Sequence, residues 1–171
     1  PYFERFLSQL PSIQALAACP EDRLLKLWEG LGYYSRARNL QKAARLLVEQ
    51  YDGQLPADYR QLTGLPGIGD YTAGAIASIA FGIAVPAVDG NVLRVLSRIL
   101  CCGDDISLPQ TKHTFRQLLL PVVPQHSAGD FNQALMELGA TVCLPSSARA
   151  IGSFCSFGAA AKACPPHLHP H

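Results

Sequence analysis

The sequence predicts an all-α protein, and three observations carry that prediction. Apolar residues recur at i, i+3 and i+4 along most of the chain. No stretch alternates as a half-buried strand would. Proline, serine, acidic residues and glycine fall where short helices start and stop. Hydrophobic residues make up 49% of the 171, and charged residues 16%. That composition supports a buried core and excludes a disordered chain. The formal net charge is +1, so bulk charge announces no polyanionic partner. Anion binding has to come from local placement.

The elements follow in order. Pro1 to Phe6 reads as part of a helix already under way. Ser12 is the N-cap of a short second helix. Pro20-Glu21-Asp22 opens a third, with proline and acids in its first turn, and Gly30-Leu31-Gly32 stops it. Leu40, Ala43, Ala44, Leu47, Val48 and Tyr51 form one helical stripe, with Arg36, Arg38, Lys42 and Arg45 off it. A short helix covers Ala57 to Leu62. Tyr71 to Phe81 is apolar all round, which predicts a central helix. A further helix runs from about Gly90 to Leu100. Its Val92, Leu96 and Ile99 face inward, and Arg94 and Arg98 share another face. Two more helices cover about Gln110 to Leu120 and Asp130 to Val142. The uncharged run Tyr71 to Val88 is broken by Gly74, Gly82 and Pro86, so it reads as core rather than a membrane span. Six cysteines with no secretory signal do not indicate disulfides.

The stretch "LPGIGDYTAGAI" (65–76) raises the functional question. A helix N-terminus offers unpaired N–H groups and a positive dipole end. Glycines at 67 and 69 let a phosphate approach the backbone, having no Cβ in the way. An ordinary helix–helix turn needing positive φ explains the same residues equally well.

The neighbouring motifs separate these alternatives. "LPGIGDYTAGAI" followed at residue 89 by "DGNVLRVLSRIL" resembles the helix-hairpin-helix DNA glycosylases. "WEGLGYYSRARNLQKAA" (28–44) and "FNQALMELGATVC" (131–143) resemble the MutY-type adenine DNA glycosylases. The resemblance covers about residues 1–143. It implies a six-helix barrel fold with a helix-hairpin-helix motif. It also implies that Gly67, Ile68 and Gly69 bind the DNA backbone, with a monovalent cation at the hairpin.

Asp89 follows an apolar turn and precedes a helix, so its local role is an N-cap. The resemblance gives it a second role. The matching aspartate stabilises the oxocarbenium-like sugar as the base leaves, as a fixed carboxylate must. Asn91 orients Asp89 or the site water, or is simply a first-turn residue. Tyr71 stands where endonuclease III-type relatives have a Schiff-base lysine. A phenol cannot form that adduct, so the implied activity is that of a monofunctional glycosylase. Tyr71 either hydrogen-bonds Asp89 or substrate, or leaves its hydroxyl in solvent. Tyr33 matches a residue that wedges beside oxidised guanine, since aromatic side chains fill the gap left by an extruded base. Tyr34 is assigned to core packing. Arg36 and Arg38 contact DNA or form a solvated face.

The reaction implied is hydrolysis of the N-glycosidic bond of adenine mispaired with 8-oxoguanine or guanine. The partner is double-stranded DNA, the protein is a monomer, and no membrane is involved. The compartment is the bacterial cytoplasm with its nucleoid, or a nucleus. Base departure also needs a carboxylic acid, a contribution of ~100- to 10,000-fold. The family's glutamate lies upstream of the segment matching Pro1–Phe6, and Glu4 and Glu29 do not match it by motif. The family also holds a [4Fe-4S] cluster on four cysteines spaced C-x6-C-x2-C-x5-C. Cys143 matches the first. The next three positions are Ala150, Ser153 and Ala159, and a cluster takes four thiolates. The expectation is that no cluster assembles.

Residues 144–171 differ in texture from the core and are expected to be a disordered tail. Their Ala, Ser, Cys, Pro and His content points to a reading-frame shift in the coding DNA. The same tail in an independently determined coding sequence would overturn that. Two further alternatives to the adenine glycosylase remain: a non-catalytic duplex-binding module, and an endonuclease III-type glycosylase.

Overall fold

A computed structural model describes residues 2–145. Of the expected tail, residues 146–171 lie outside the described residues, as do positions 150, 153 and 159. Among the described residues there are nine α-helices and no strand, as the periodicity predicts. No helix there is long and apolar enough to cross a membrane. The chain divides after Gly69 into two compact units.

The first unit holds α1 (Tyr2–Gln9), α2 (Ile13–Ala18), α3 (Glu21–Leu27), α4 (Ser35–Gln50) and α5 (Tyr59–Thr63). Ser12 caps α2 by accepting the Ala15 amide at 3.1 Å. Asp58 caps α5 by accepting the Gln61 amide at 2.8 Å. Leu10, Leu16, Leu24, Ala37 and Ala44 form the core, with Phe6 and Trp28 packed against it. The rings of Phe6 and Trp28 meet edge to face at 5.7 Å, the arrangement the aromatic quadrupole favours. Gln41 is the polar member of this interior. Its Nε2 donates to the carbonyls of Leu16 at 3.2 Å and Cys19 at 2.6 Å. Both carbonyls lie at the C-terminal end of α2, and that of Leu16 also accepts the Cys19 amide at 3.3 Å. One amide on α4 thus closes α2.

The second unit holds α6 (Asp70–Phe81), α7 (Gly90–Ile99), α8 (Pro109–Leu119) and α9 (Ala128–Glu137). A π-helical turn, Leu138–Val142, extends α9. Val92, Leu93, Leu96, Phe115 and Leu119 form the core, with Phe131 and Leu135 against it.

Several sequence expectations need correction. Helix α6 is not buried all round. Ala73, Gly74, Ala77 and Ser78 are buried, but Tyr71, Ile79 and Phe81 are exposed. Small residues make the packed face because backbone elements approach it closely. The bulky residues lie on the other side. Ile99 is exposed at the last turn of α7, and Leu93 and Val95 are buried in addition to Val92 and Leu96. On α4, Leu40 and Val48 are exposed, and the buried stripe is Ala37, Gln41, Ala43, Ala44 and Leu47. A buried glutamine belongs to that stripe because it has acceptors. The helix predicted to Val142 ends as α-helix at Glu137.

Gln41→Ala removes the side-chain donor from the carbonyls of Leu16 and Cys19. The expected loss of stability is about 1–3 kcal/mol, measured as a lower melting temperature by far-UV circular dichroism.

Candidate functional site

In the second unit the segment from Gly82 to Val88 leads into α7, and Asp89 is its N-cap. One carboxylate oxygen of Asp89 accepts the Val92 amide at 2.8 Å. The other accepts the Asn91 side-chain amide at 3.0 Å. The N-cap role weighed for Asp89 is thus met through one oxygen, while Asn91 holds the other. Asp89 is half-buried and lines a cavity of about 600 Å³ with Asp70, Tyr71, Lys112, His113 and Arg116. That volume is in the range of small-molecule sites.

Asn91 is itself held. Its Oδ1 accepts from Arg94 Nη2 at 2.7 Å. The same guanidinium donates to the carbonyls of Gly139 and Cys143, each at 2.7 Å. This fixes which way the Asn91 amide points, since its oxygen is taken and its NH₂ must face Asp89. Gly139 lets the π-helical turn come this close. A methyl added there would lie 2.9 Å from the Asn91 backbone. Single π turns inside helices often mark functional sites.

Asn132 does for the preceding segment what Arg94 does for Asn91. It is fully buried. Its Oδ1 accepts the Ala87 amide at 3.0 Å, and its Nδ2 donates to Ser78 Oγ and to the Val85 carbonyl, both at 2.9 Å. An extended segment with no sheet partner needs such bonds. The sequence motif contained Asn132 without marking it. A polar residue at the apolar register of α9 was the available signal. The cationic side chains of α8 were also missed, because they sit far from the motifs.

Tyr71 is exposed, and its hydroxyl donates to the Met136 sulfur at 3.7 Å rather than to Asp89. Cys143 is 1% exposed, and its sulfur accepts from Arg98 Nη1 at 3.0 Å. Cys19 and Cys143 are buried thiols outside any disulfide. Among the described residues no group of three or more His, Cys, Asp or Glu is placed to hold a metal ion. The three other family positions are Ala150, Ser153 and Ala159, and Cys155 and Cys164 stand at other spacings, so the donor set does not fit a four-thiolate cluster.

In the first unit the hairpin turn separates the two glycines. Gly67 has φ +79°, and a methyl there would meet Asn39 Cβ at 2.7 Å. The fold itself needs this glycine. Gly69 has no such φ and nothing within 4 Å of an added methyl. The fold places no demand on it. Ile68 is half-buried and its amide donates to the Leu65 carbonyl at 3.1 Å.

Tyr33 is 82% exposed and has φ +47°. The flanking Gly30 and Gly32 also have positive φ. The loop presents this ring outward instead of packing it. Tyr34, assigned to the core from sequence, is 40% exposed, because the loop turns both tyrosines away from the α4 packing face. The Arg36 guanidinium lies over Trp28 and Tyr33, 5.6 and 5.8 Å from the ring centroids. Arg38 pairs with Glu21 at 2.7 Å. That hydrogen bond, ahead of the neighbouring positive charges, holds the Glu21 carboxyl below the usual carboxylate range. The pair's contribution is present above the ordinary glutamate value and is lost as pH falls through the depressed one. Both side chains are well exposed, so the contribution is small.

Asn132→Ala is expected to cost at least ~2 kcal/mol, since several buried groups lose partners. The Ala87 amide should lose protection in hydrogen exchange, which locates the effect in the segment before Asp89.

Residues 1–122 match the family described as HhH-GPD superfamily base excision DNA repair protein. The adenine DNA glycosylase of Mus musculus is 48% identical over 145 residues, covering 84% of this chain and 28% of the relative. That of Buchnera aphidicola subsp. Schizaphis graminum is 37% identical over 147 residues, covering 86% and 42%. The chain thus spans well under half the length of these curated relatives. Among solved structures, a non-covalent endonuclease III–DNA complex superposes with a TM-score of 0.74 at 28% identity, over 85% of this chain and 67% of that chain. A thermostable thymine-DNA glycosylase gives 0.77 at 28% identity, with the same coverage. The chain belongs to the HhH-GPD superfamily of base excision DNA repair proteins.

Proposed function

We propose that this chain carries the core of an adenine DNA glycosylase, residues 1–143, acting on adenine mispaired with 8-oxoguanine or guanine in duplex DNA. The observation that carries the proposal is Asp89. It lies at a cavity, with both oxygens fixed and the neighbouring amide locked by Arg94. A carboxylate held this way is preorganised to favour positive charge developing on a sugar, with little reorganisation when the base leaves. The relatives named adenine DNA glycosylase supply the substrate class.

The other roles follow from chemistry. Asn91 positions Asp89. Tyr71 offers no amine, so the sugar is released by water rather than captured as a Schiff base. Exposed Tyr33, with Arg36 stacked on it, is the residue to enter the base stack. Gly67 shapes the hairpin turn, and Ile68 and Gly69 let phosphate approach. A monovalent cation there would be held by backbone carbonyls and would add positive charge toward the phosphate. Arg38 reaches phosphate only by leaving Glu21. The protein acts as a monomer where DNA is, in a nucleoid or a nucleus.

Residues 1–171 contain no glutamate at the family's acid position. By themselves they are expected to bind duplex DNA without excising adenine. Single-turnover assay on an adenine·8-oxoguanine duplex tests this. Appreciable excision that disappears in Asp89→Asn would show that the acid is supplied from within these residues.

The hairpin assignment has its own test. Gly69→Val should leave the melting temperature unchanged and weaken duplex binding at least ~10-fold, since it blocks a backbone approach. Gly67→Val should lower the melting temperature as well. Equal affinity for Gly69→Val and wild type, by fluorescence anisotropy at fixed salt, would remove phosphate from this turn. Glu21→Gln frees Arg38 and should strengthen binding while steepening the salt dependence by about one unit. An unchanged slope would leave Arg38 on a solvated face.

A further inference from the structure

In most four-cysteine relatives of this fold, by the resemblance, metal–thiolate bonds would tie down the chain beyond α9. In this chain two arginines hold the start of that segment. Helix α7 presents Arg94 and Arg98 one turn apart. Arg94 Nε and Nη2 donate to the carbonyls of Cys143 and Gly139, both at 2.7 Å. Arg98 Nη1 donates to Cys143 Sγ at 3.0 Å and to the Leu144 carbonyl at 2.9 Å, and Nη2 donates to the Pro145 carbonyl at 3.3 Å. The Cys143 amide closes the π-helical turn on Leu138 at 2.8 Å.

The Gly139 and Cys143 carbonyls lie at a helix end, where carbonyls lack helical partners and the dipole is negative, and those of Leu144 and Pro145 follow directly. Two guanidinium forks match them in charge and in number of donors. Hydrogen bonds from a charged donor are about twice as strong as neutral ones. The buried Cys143 sulfur already accepts from Arg98, Ala150, Ser153 and Ala159 carry no thiol, and Cys155 and Cys164 stand at other spacings.

We propose that the segment from the π-helical turn to Pro145 is an arginine-clamped cap that needs no iron–sulfur cluster to stay folded, its restraint coming from Arg94 and Arg98. The clamp is continuous with the catalytic side of the unit through the Arg94–Asn91–Asp89 hydrogen bonds. Asp89 is therefore held in position by groups that neither iron nor a chelator reaches.

The test uses the full 171-residue chain. Iron and acid-labile sulfide are measured after anaerobic reconstitution with ferrous iron and sulfide. Far-UV circular dichroism melts are recorded with and without a strong iron chelator. The expected result is no stoichiometric iron or sulfide, a cooperative melt, and the same melting temperature in both conditions. Arg98→Ala should lower the melting temperature by about 4 °C or more, and Arg98→Lys by less. Cys143→Ser keeps an acceptor for Arg98 and should lose less than Arg98→Ala. Stoichiometric iron with sulfide, a melting temperature lowered by the chelator, or a metal-free chain without a cooperative melt would overturn the proposal. So would Arg98→Ala melting like wild type. None of these readouts involves DNA, so failure of the clamp and failure of the glycosylase assignment are distinguishable.

Discussion

Asp89 has two carboxylate oxygens, and the second unit uses both. One accepts the Val92 amide and starts α7. The other accepts the Asn91 amide. Two buried or half-buried side chains, Asn132 and Arg94, constrain the chain on either side of this residue. Asn132 holds the segment before it, and Arg94 holds the residue after it. A carboxylate on a free loop would lose conformational entropy each time it met a developing cation. In the role proposed for Asp89 that cost is met during folding.

The first unit rests on a different constraint, the close approach of short helices. Gln41 closes α2 from α4, and small residues bring the helices together. Its loops are where the exposed aromatic and cationic groups lie. Tyr33 projects from a turn with three residues at positive φ, Gly30, Gly32 and Tyr33 itself. A non-glycine residue in that region is uncommon and strained, and such strain concentrates at functional positions.

Much of the fold was legible in the sequence. Ser12, Pro20 and Asp89 marked helix starts, and the helical period marked the elements. Where the reading failed, packing was decided by partners far away in sequence. Ile99 fits the apolar period of α7 and is exposed, because the last turn of the helix runs past the core. Gln41 breaks the period of α4 and is buried, because two carbonyls at the end of α2 accept from its amide. The site was legible only in part. Asp89, Asn91 and the hairpin glycines could be named from motifs. Their division of labour could not, because it depends on which oxygen each donor takes and on whether a Cβ would fit. Gly67 and Gly69 look alike in the sequence, yet only Gly67 is required by the fold. The Arg94 and Arg98 pair was visible as a shared helix face. Its acceptors, which are backbone carbonyls more than forty residues away, were not.

The most direct measurement of the central claim compares two duplexes, each with 8-oxoguanine in one strand. Opposite it stands either a cationic pyrrolidine nucleotide, which mimics the charged sugar, or a neutral tetrahydrofuran site. A preorganised Asp89 carboxylate predicts tighter binding to the cationic site by at least ~10-fold, because the transition state is what the site is built to favour. That preference should vanish in Asp89→Asn, with affinity for the neutral site unchanged. Equal affinity of the wild-type chain for both duplexes, or a preference that survives Asp89→Asn, would contradict the assignment of Asp89 to the sugar cation.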